Sequence, residues 1–120
     1  MYEDRILMPA LRKKIISAQQ AAEYILPNMT LGFSGFTAVG YPKAIPQAIA
    51  QKGTATNLTI IAGASAGDEL DGALARAGLV GARTPFNVNK DLRNGINGGC
   101  IRYTDQHLGH LPESVWNGSY

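Results

Sequence analysis

Apolar positions along the chain switch between two spacings. Ser17 is followed three residues on by Gln20 and then by Ala21, Ala22, Tyr24 and Ile25. A hydroxyl at the N-cap with a glutamine at N3 is a capping box, so a helix opens here, and Pro27 and Asn28 close it. The short apolar run 30–33, flanked by turn residues, predicts a buried strand. It empties into the loop Ser34-Gly35-Phe36-Thr37-Ala38-Val39-Gly40. Pro42 suits a first helical position, where no intrahelical N–H is needed. Ile45, Ala48, Ile49 and Lys52 continue a helical spacing whose start Pro46 can delay.

The pattern then repeats. Residues 57–62 form a second apolar run, Gly63-Ala64-Ser65-Ala66-Gly67 a second small-residue loop, and 68–77 a helix ended by Gly78. A weak strand over 80–83, a short helix over 90–95 and a short strand over 101–103 precede a turn at Asp105. Strands alternating with helices predict an α/β fold, a mostly parallel sheet with right-handed crossovers and helices on both faces. Residues 1–120 read as one unit without an internal boundary. In such sheets ligands sit beyond the carboxyl ends of the strands, where the two small-residue loops and Thr84-Pro85-Phe86-Asn87 are expected to gather. The stretch Trp116-Asn117-Gly118-Ser119-Tyr120 is turn-like, with no closing helix or strand, and three or four short strands leave an edge uncovered. The expectation is that 120 residues are part of a larger folding unit.

Composition narrows the function classes. Hydrophobic residues at 45% and charged ones at 17% exclude a long disordered tail and a fibrous rod. Eleven Lys plus Arg against nine Asp plus Glu give +2, without a run of four basic residues, so neither nucleic acid nor an anionic membrane surface is indicated. Arg12, Lys13 and Lys14, the densest cluster, read as a solvated helix face. One cysteine, Cys100, excludes an internal disulfide and reads as a small buried residue. The first ten residues mix charges with apolar residues, unlike a signal peptide or a membrane span. A soluble, cytoplasmic protein is expected.

The candidate chemistry starts with exclusions. Gly35 and Gly40 have the separation of P-loop glycines, but Tyr41-Pro42 stands where Lys and Ser or Thr are required, and no GxGxxG fingerprint is present. What remains is a strand ending in small residues. Its backbone N–H groups can bind an anion or a developing oxyanion, or simply form a tight turn. Asp105, His107, His110 and Cys100 fit no zinc spacing, so a metal cluster is not expected there. Asp68, Glu69 and Asp71 are accounted for by capping and the helix dipole.

The ordered series Ser34-Gly35-Phe36-Thr37-Ala38-Val39-Gly40-Tyr41-Pro42-Lys43-Ala44-Ile45-Pro46, Gly63-Ala64-Ser65, Asp71-Gly72, Thr84-Pro85-Phe86-Asn87, Arg93-Asn94, Ile96-Asn97, Gly99 and Asp105-Gln106-His107-Leu108-Gly109 resembles the amino-terminal part of the acetyl-CoA hydrolase/transferase family. That family includes the succinyl-CoA:acetate CoA-transferases. The resemblance implies a class I CoA-transferase, in which CoA moves between an acyl-CoA and a small carboxylic acid through a glutamyl-CoA intermediate. It identifies Ser34, Gly35, Phe36, Thr37 and Gly40 with the glycine-rich active-site loop, which would contribute backbone donors beside the acyl group. It assigns Ser65 and Asn87 to the carboxylic acid pocket; for Ser65 a plain strand-to-helix turn is the competing reading. Val88 stands where close relatives often carry Thr.

The family's catalytic glutamate lies downstream of the matched region, and none of Glu3, Glu23, Glu69 and Glu113 falls in a similar motif. The expectation is therefore an amino-terminal fragment with no catalytic residue of its own, inactive alone. Its substrate would be a coenzyme A thioester with a small carboxylate, with no permanently bound cofactor and no metal. Lys43 could reach a CoA phosphate or be a solvated helix-start residue. The expected partner is the remaining C-terminal part of the enzyme, and a homodimer when full length. The alternatives are a free-standing anion- or CoA-binding module and a non-catalytic subunit of a split transferase.

Overall fold

The computed structural model describes residues 3–119. After a short 3-10 turn, Glu3–Arg5, the chain forms α1 (Pro9–Arg12), α2 (Ala18–Glu23), β1 (Thr30–Gly32), α3 (Ala44–Lys52) and β2 (Leu58–Ile61). A π-helical turn, Asp68–Gly72, runs directly into α4 (Ala73–Arg76). Then follow β3 (Val80–Thr84), α5 (Lys90–Asn97), β4 (Arg102–Tyr103), a 3-10 turn at Leu108–His110 and α6 (Leu111–Trp116).

Local chemistry accounts for most of these boundaries. Ser17 Oγ accepts from the Gln20 N–H at 3.1 Å while the Ser17 N–H donates to Gln20 Oε1 at 2.8 Å, the expected capping box. α3 begins at Ala44, so Pro46 falls in the first turn, where its missing N–H has no intrahelical use. Asn89 opens α5 by accepting from the Asp91 and Leu92 N–H groups. The helix predicted over 68–77 is split: its first turn is widened, and only 73–76 is α-helical.

The four strands are all parallel and lie in the order β1-β2-β3-β4. The weak strand of the sequence reading, β3, is thus an inner strand. Every crossover advances the sheet by one position in the same direction, and right-handed connections then return each helix to the same side. Accordingly α2, α3, α4 and α5 pack side by side in one layer. The parallel α/β architecture is as expected, while these helices share one face instead of two. β2 shows the consequence: Leu58 and Ile60 are buried under the helices, whereas Thr59 and Ile61 on the other face are half-buried.

The core joins Leu58, Ile60 and Val80 of the strands to Ala22, Ile49, Leu70, Leu74 and Leu92 of the helical layer. The ends of the chain add little to it. α1 and α6 contain no buried residue, Trp116 is 92% exposed, and β4 leaves Arg102 and Tyr103 exposed at the sheet edge. The radius of gyration, 15.2 Å, correspondingly exceeds the roughly 13.6 Å of a compact chain of this length. Two expectations are corrected here. A helix, α6, does stand before the terminal turn, with Pro112 in its first turn. Cys100 is exposed: it follows the Gly98-Gly99 turn at the end of α5, where Gly99 has positive φ. Arg12, Lys13 and Lys14 are solvated as expected. Among the described residues, no helix is long and apolar enough to cross a membrane.

Candidate active site

The loops that follow β1, β2 and β3 converge at the carboxyl ends of the strands. Between them lies a cleft of about 520 Å³ lined by Phe36, Thr37 and Ala38 from the first loop, Ala64 to Asp68 from the second, and Phe86, Val88 and Asn89 from the third. The walls are held together by backbone contacts. The Thr37 N–H donates to the Ala64 carbonyl at 3.1 Å, and the Ser65 N–H to the Phe86 carbonyl at 2.7 Å. Gly63 is required by a close approach: a Cβ there would lie 1.6 Å from the Gly35 carbonyl oxygen.

Thr37 and Ser65 both adopt left-handed backbone angles, with φ of 55° and 62°. Such a conformation is costly for a residue with a β-carbon, and it persists only where neighbours over-determine it. Both residues line the cleft. The Ser65 hydroxyl, itself buried, accepts from the Val88 N–H at 3.3 Å and donates to the Ala66 carbonyl at 3.4 Å, so it bridges the second and third loops.

Charge is kept to the rim and to the floor behind the lining. At the rim, Asp68 accepts two hydrogen bonds from Arg76, at 2.8 and 2.9 Å, and one from Asn89 at 3.2 Å. The Arg76 bonds hold the Asp68 carboxyl below its ordinary value. Arg76 also pairs with Asp91 at 2.7 Å, and the two carboxylates raise its own pKa. Beside the second loop, the Tyr41 hydroxyl donates to Glu69, which depresses the Glu69 carboxyl and raises the Tyr41 phenol. The Tyr41 ring is packed so closely on the loop that a Cβ at Gly67 would meet its hydroxyl at 2.0 Å.

Behind the lining, Arg83 and Asp71 form a buried ion pair, with Nε to Oδ1 at 2.9 Å and Nη2 to Oδ2 at 3.1 Å. Removing one partner would strand a charge in the interior, which costs on the order of 3–5 kcal/mol.

The sequence model of the acetyl-CoA hydrolase/transferase N-terminal domain matches residues 7–120. The chain belongs to that family. It is 38% identical over 117 residues to a succinyl-CoA:acetate CoA-transferase of Clostridium kluyveri, covering 94% of this chain and 22% of that protein. An acetyl-CoA hydrolase of Neurospora crassa is 32% identical over 97% of this chain and 23% of its own length. A propanoyl-CoA:succinate CoA transferase of Escherichia coli is 34% identical over 88% of this chain. The chain thus spans less than a quarter of the length of these curated relatives. Among solved structures, RipA from Yersinia pestis superposes with a TM-score of 0.65 at 17% identity, over 91% of this chain and 28% of that one. A variant of the decarboxylase AibA/AibB gives 0.60 at 14% identity, over 77% and 38%. At these identities the likeness concerns the fold.

Of the family's motif residues singled out in the sequence, Phe36, Thr37 and Ser65 come together in the cleft lining. Ser34, Gly35 and Gly40 shape the first loop from outside the lining: Ser34 Oγ donates to the Gly40 carbonyl at 3.0 Å, and both glycines have positive φ. Asn87 stands next to the lining residues Phe86 and Val88, and its Oδ1 is buried without a hydrogen-bond partner. The Phe36 and Thr37 N–H groups, expected as free donors, are engaged by the Val39 and Ala64 carbonyls. The first loop therefore offers the cleft chiefly apolar and aromatic surface.

The acidic run is also corrected. All three acids do stand in the first turn after Gly67, but none caps it: the Asp71 carboxylate turns inward to Arg83 and to the Ala66 N–H at 2.9 Å, and Asp68 and Glu69 are paired with Arg76 and Tyr41. Lys43 is exposed at the α3 N-cap, its ammonium 5.0 Å from the Tyr41 ring centre. His107 Nδ1 accepts from the Gly109 N–H at 3.0 Å. Among the described residues, no group of three His, Cys, Asp or Glu side chains is placed to hold a metal ion. Sequence reasoning missed Arg83, Asp68 and Asn89. The signal for Arg83 was a charged residue inside an otherwise apolar strand.

Proposed function

We propose that this chain forms the acid-binding wall of an enzyme that moves CoA between an acyl-CoA, acetyl- or succinyl-CoA, and a small carboxylate. The observation that carries this reading is the apolar cleft at the carboxyl ends of β1, β2 and β3, inside the span that matches the family model and built from the motifs that carry the resemblance. The names of the relatives, CoA-transferases and acetyl-CoA hydrolases, supply the substrate class.

The chemistry requires an enzyme carboxylate. It attacks the thioester carbon and expels CoA thiolate to give an acyl-glutamyl anhydride. The thiolate then attacks the glutamyl carbonyl, releasing the first acid and leaving a glutamyl-CoA thioester; a second carboxylate, or water in a hydrolase, takes over from there. Phe36, Ala38, Phe86 and Val88 would exclude water from the anhydride. Ser65 and Asn87 would orient the free acid, and the unpartnered Asn87 Oδ1 is suited to a protonated carboxyl or to reorientation of the amide.

The glutamate lies in a segment other than these residues. Glu23 is paired with Lys52 at 2.9 Å on the helical layer, Glu69 is held by Tyr41, and Glu113 sits on the exposed α6; none lines the cleft.

The test is CoA exchange between succinyl-CoA and labelled acetate, by the purified chain alone and after addition of the complementary C-terminal segment of a relative. Activity only in the mixture is expected. Exchange by the chain alone, abolished by changing one of its four glutamates, would overturn the placement of the nucleophile. Tight acyl-CoA binding without turnover in both samples would identify a binding module instead.

A further inference from the structure

A buried ion pair seldom stabilises a fold more than apolar side chains of the same shape would, so stability alone does not account for Arg83 and Asp71. Their remaining bonds suggest another purpose. The Arg83 guanidinium donates to the carbonyls of Thr84 and Pro85 (3.3 Å), at the start of the third loop, and of Gly63 (3.5 Å), at the start of the second. Asp71 accepts from the Ala66 N–H of the second loop at 2.9 Å. Each of these backbone groups belongs to a cleft-lining residue or to the residue or two before one, yet neither charged side chain lines the cleft. One planar cation and its carboxylate thus fix the spacing of the two walls that carry Ser65 and Phe86.

We propose that Arg83 and Asp71 are positioning residues, which set the second and third loops at the separation needed to bind the acceptor carboxylate. The proposal rests on the CoA-transfer reading above. A planar fork is needed because its donors must reach both loops and the carboxylate together, which the compact ammonium of lysine cannot do.

Three variants test it: Arg83→Lys, Asp71→Asn and the double variant Arg83→Met/Asp71→Leu. Two quantities are read: KM and kcat for the acceptor carboxylate in the reconstituted enzyme, and amide hydrogen exchange in the 120-residue chain. The double variant leaves no unpaired charge, so it should regain most of the thermal stability that Asp71→Asn loses. Its KM should nonetheless stay raised by about ten- to a hundredfold, the usual consequence of misplacing binding groups by around 1 Å. Its Ser65 amide, which donates across the two loops to the Phe86 carbonyl and bonds neither replaced side chain, should also exchange faster relative to the amides of β2 than in the unchanged chain.

A double variant with unchanged KM, or with unchanged Ser65 exchange, would overturn the proposal and reduce the pair to packing. Should the double variant fail to fold, Arg83→Lys decides: a raised KM with kcat within about threefold supports positioning, and an unchanged KM refutes it. If the unchanged enzyme transfers no CoA, the functional reading falls, and the exchange rate of Ser65 alone decides the role of the pair.

Discussion

Gly63→Ala puts the convergence of the loops to a direct test. The added methyl would stand 1.6 Å from the Gly35 carbonyl oxygen and 2.8 Å from its carbon, both backbone atoms that no rotamer change can move. Ordinary contact begins at 3.4 Å, so the first and second loops must part by about 1.8 Å. That separation breaks the 3.1 Å bond from the Thr37 N–H to the Ala64 carbonyl. Overpacking of this kind costs about 1–3 kcal/mol, and a lost hydrogen bond adds about 1 kcal/mol. The sum, roughly 2–4 kcal/mol, is a large part of the 5–15 kcal/mol that holds a typical domain together. For a chain of this length it corresponds to a fall in Tm of roughly 8–16 °C.

The assay is thermal unfolding followed by far-ultraviolet circular dichroism, with Gly32→Ala as the reference. A Cβ at Gly32 meets nothing within 4 Å, and its φ is not in the left-handed region, so that variant should melt within a few degrees of the unchanged chain. A Gly63→Ala variant melting alongside Gly32→Ala would refute the close approach of the two loops, and with it the shape of the cleft.

Ser65→Ala removes the hydroxyl that bridges the second and third loops; in the reconstituted enzyme it should raise KM for the acid or lower kcat, and unchanged kinetics would take Ser65 out of the site. Tyr41→Phe should weaken the hold of the first loop on the second. Because the Glu69 carboxyl is depressed by that hydroxyl, its stabilisation is complete above the ordinary value of 4.5 and is lost as pH falls below it; urea midpoints measured between pH 6 and pH 3 should fall less steeply in the variant. The raised Tyr41 phenol gives the opposite arm: stability present below pH 10 is lost as pH rises through the folded value, and this alkaline loss should be absent in Tyr41→Phe. Arg76→Met should flatten the acid limb around and below pH 3.8, because the depressed Asp68 carboxyl stabilises the fold only while it is ionised; an unchanged slope would mean that the rim pair contributes nothing in solution.

What was legible in the sequence was what neighbours along the chain decide. The capping box of Ser17 and Gln20, the apolar run over 57–62 and the helix end at Gly78 depend on residues no more than a few positions apart. The three cleft loops were legible because small residues follow the first two apolar runs and Thr84-Pro85-Phe86-Asn87 the third, and chain direction then places them at one end of a parallel sheet. β3 read as weak because Gly81 and Arg83 interrupt its apolar run, and the reason for Arg83 lies twelve residues back, at Asp71. The widened turn after Gly67 was likewise hidden, since it coincides with a carboxylate drawn inward by Arg83 of β3 and by the Ala66 N–H. The one-sided helical layer followed from strand order, which no local pattern encodes. α6 did carry a local signal, a proline in the first turn, but its side chains bury nothing in this chain and leave no apolar stripe packed on the core.

The same division explains why the cleft is well defined on a small scaffold. Thr37 and Ser65 hold a backbone conformation that costs of order 1–3 kcal/mol each, while a single hydrogen bond returns only about 1 kcal/mol net. Neither the Thr37 bond to Ala64 nor the Ser65 bond to Phe86 therefore suffices alone. The conformation holds because several constraints act on the same few residues: the Gly63 and Gly35 contact, the Tyr41 ring against Gly67, the Ser65 hydroxyl on Val88, and the Arg83 and Asp71 pair beneath. Loosening any one should release strain in the others, so paired substitutions across the loops should be less damaging than the sum of the single changes. Distant changes, such as Trp116→Ala on the exposed α6, should add independently.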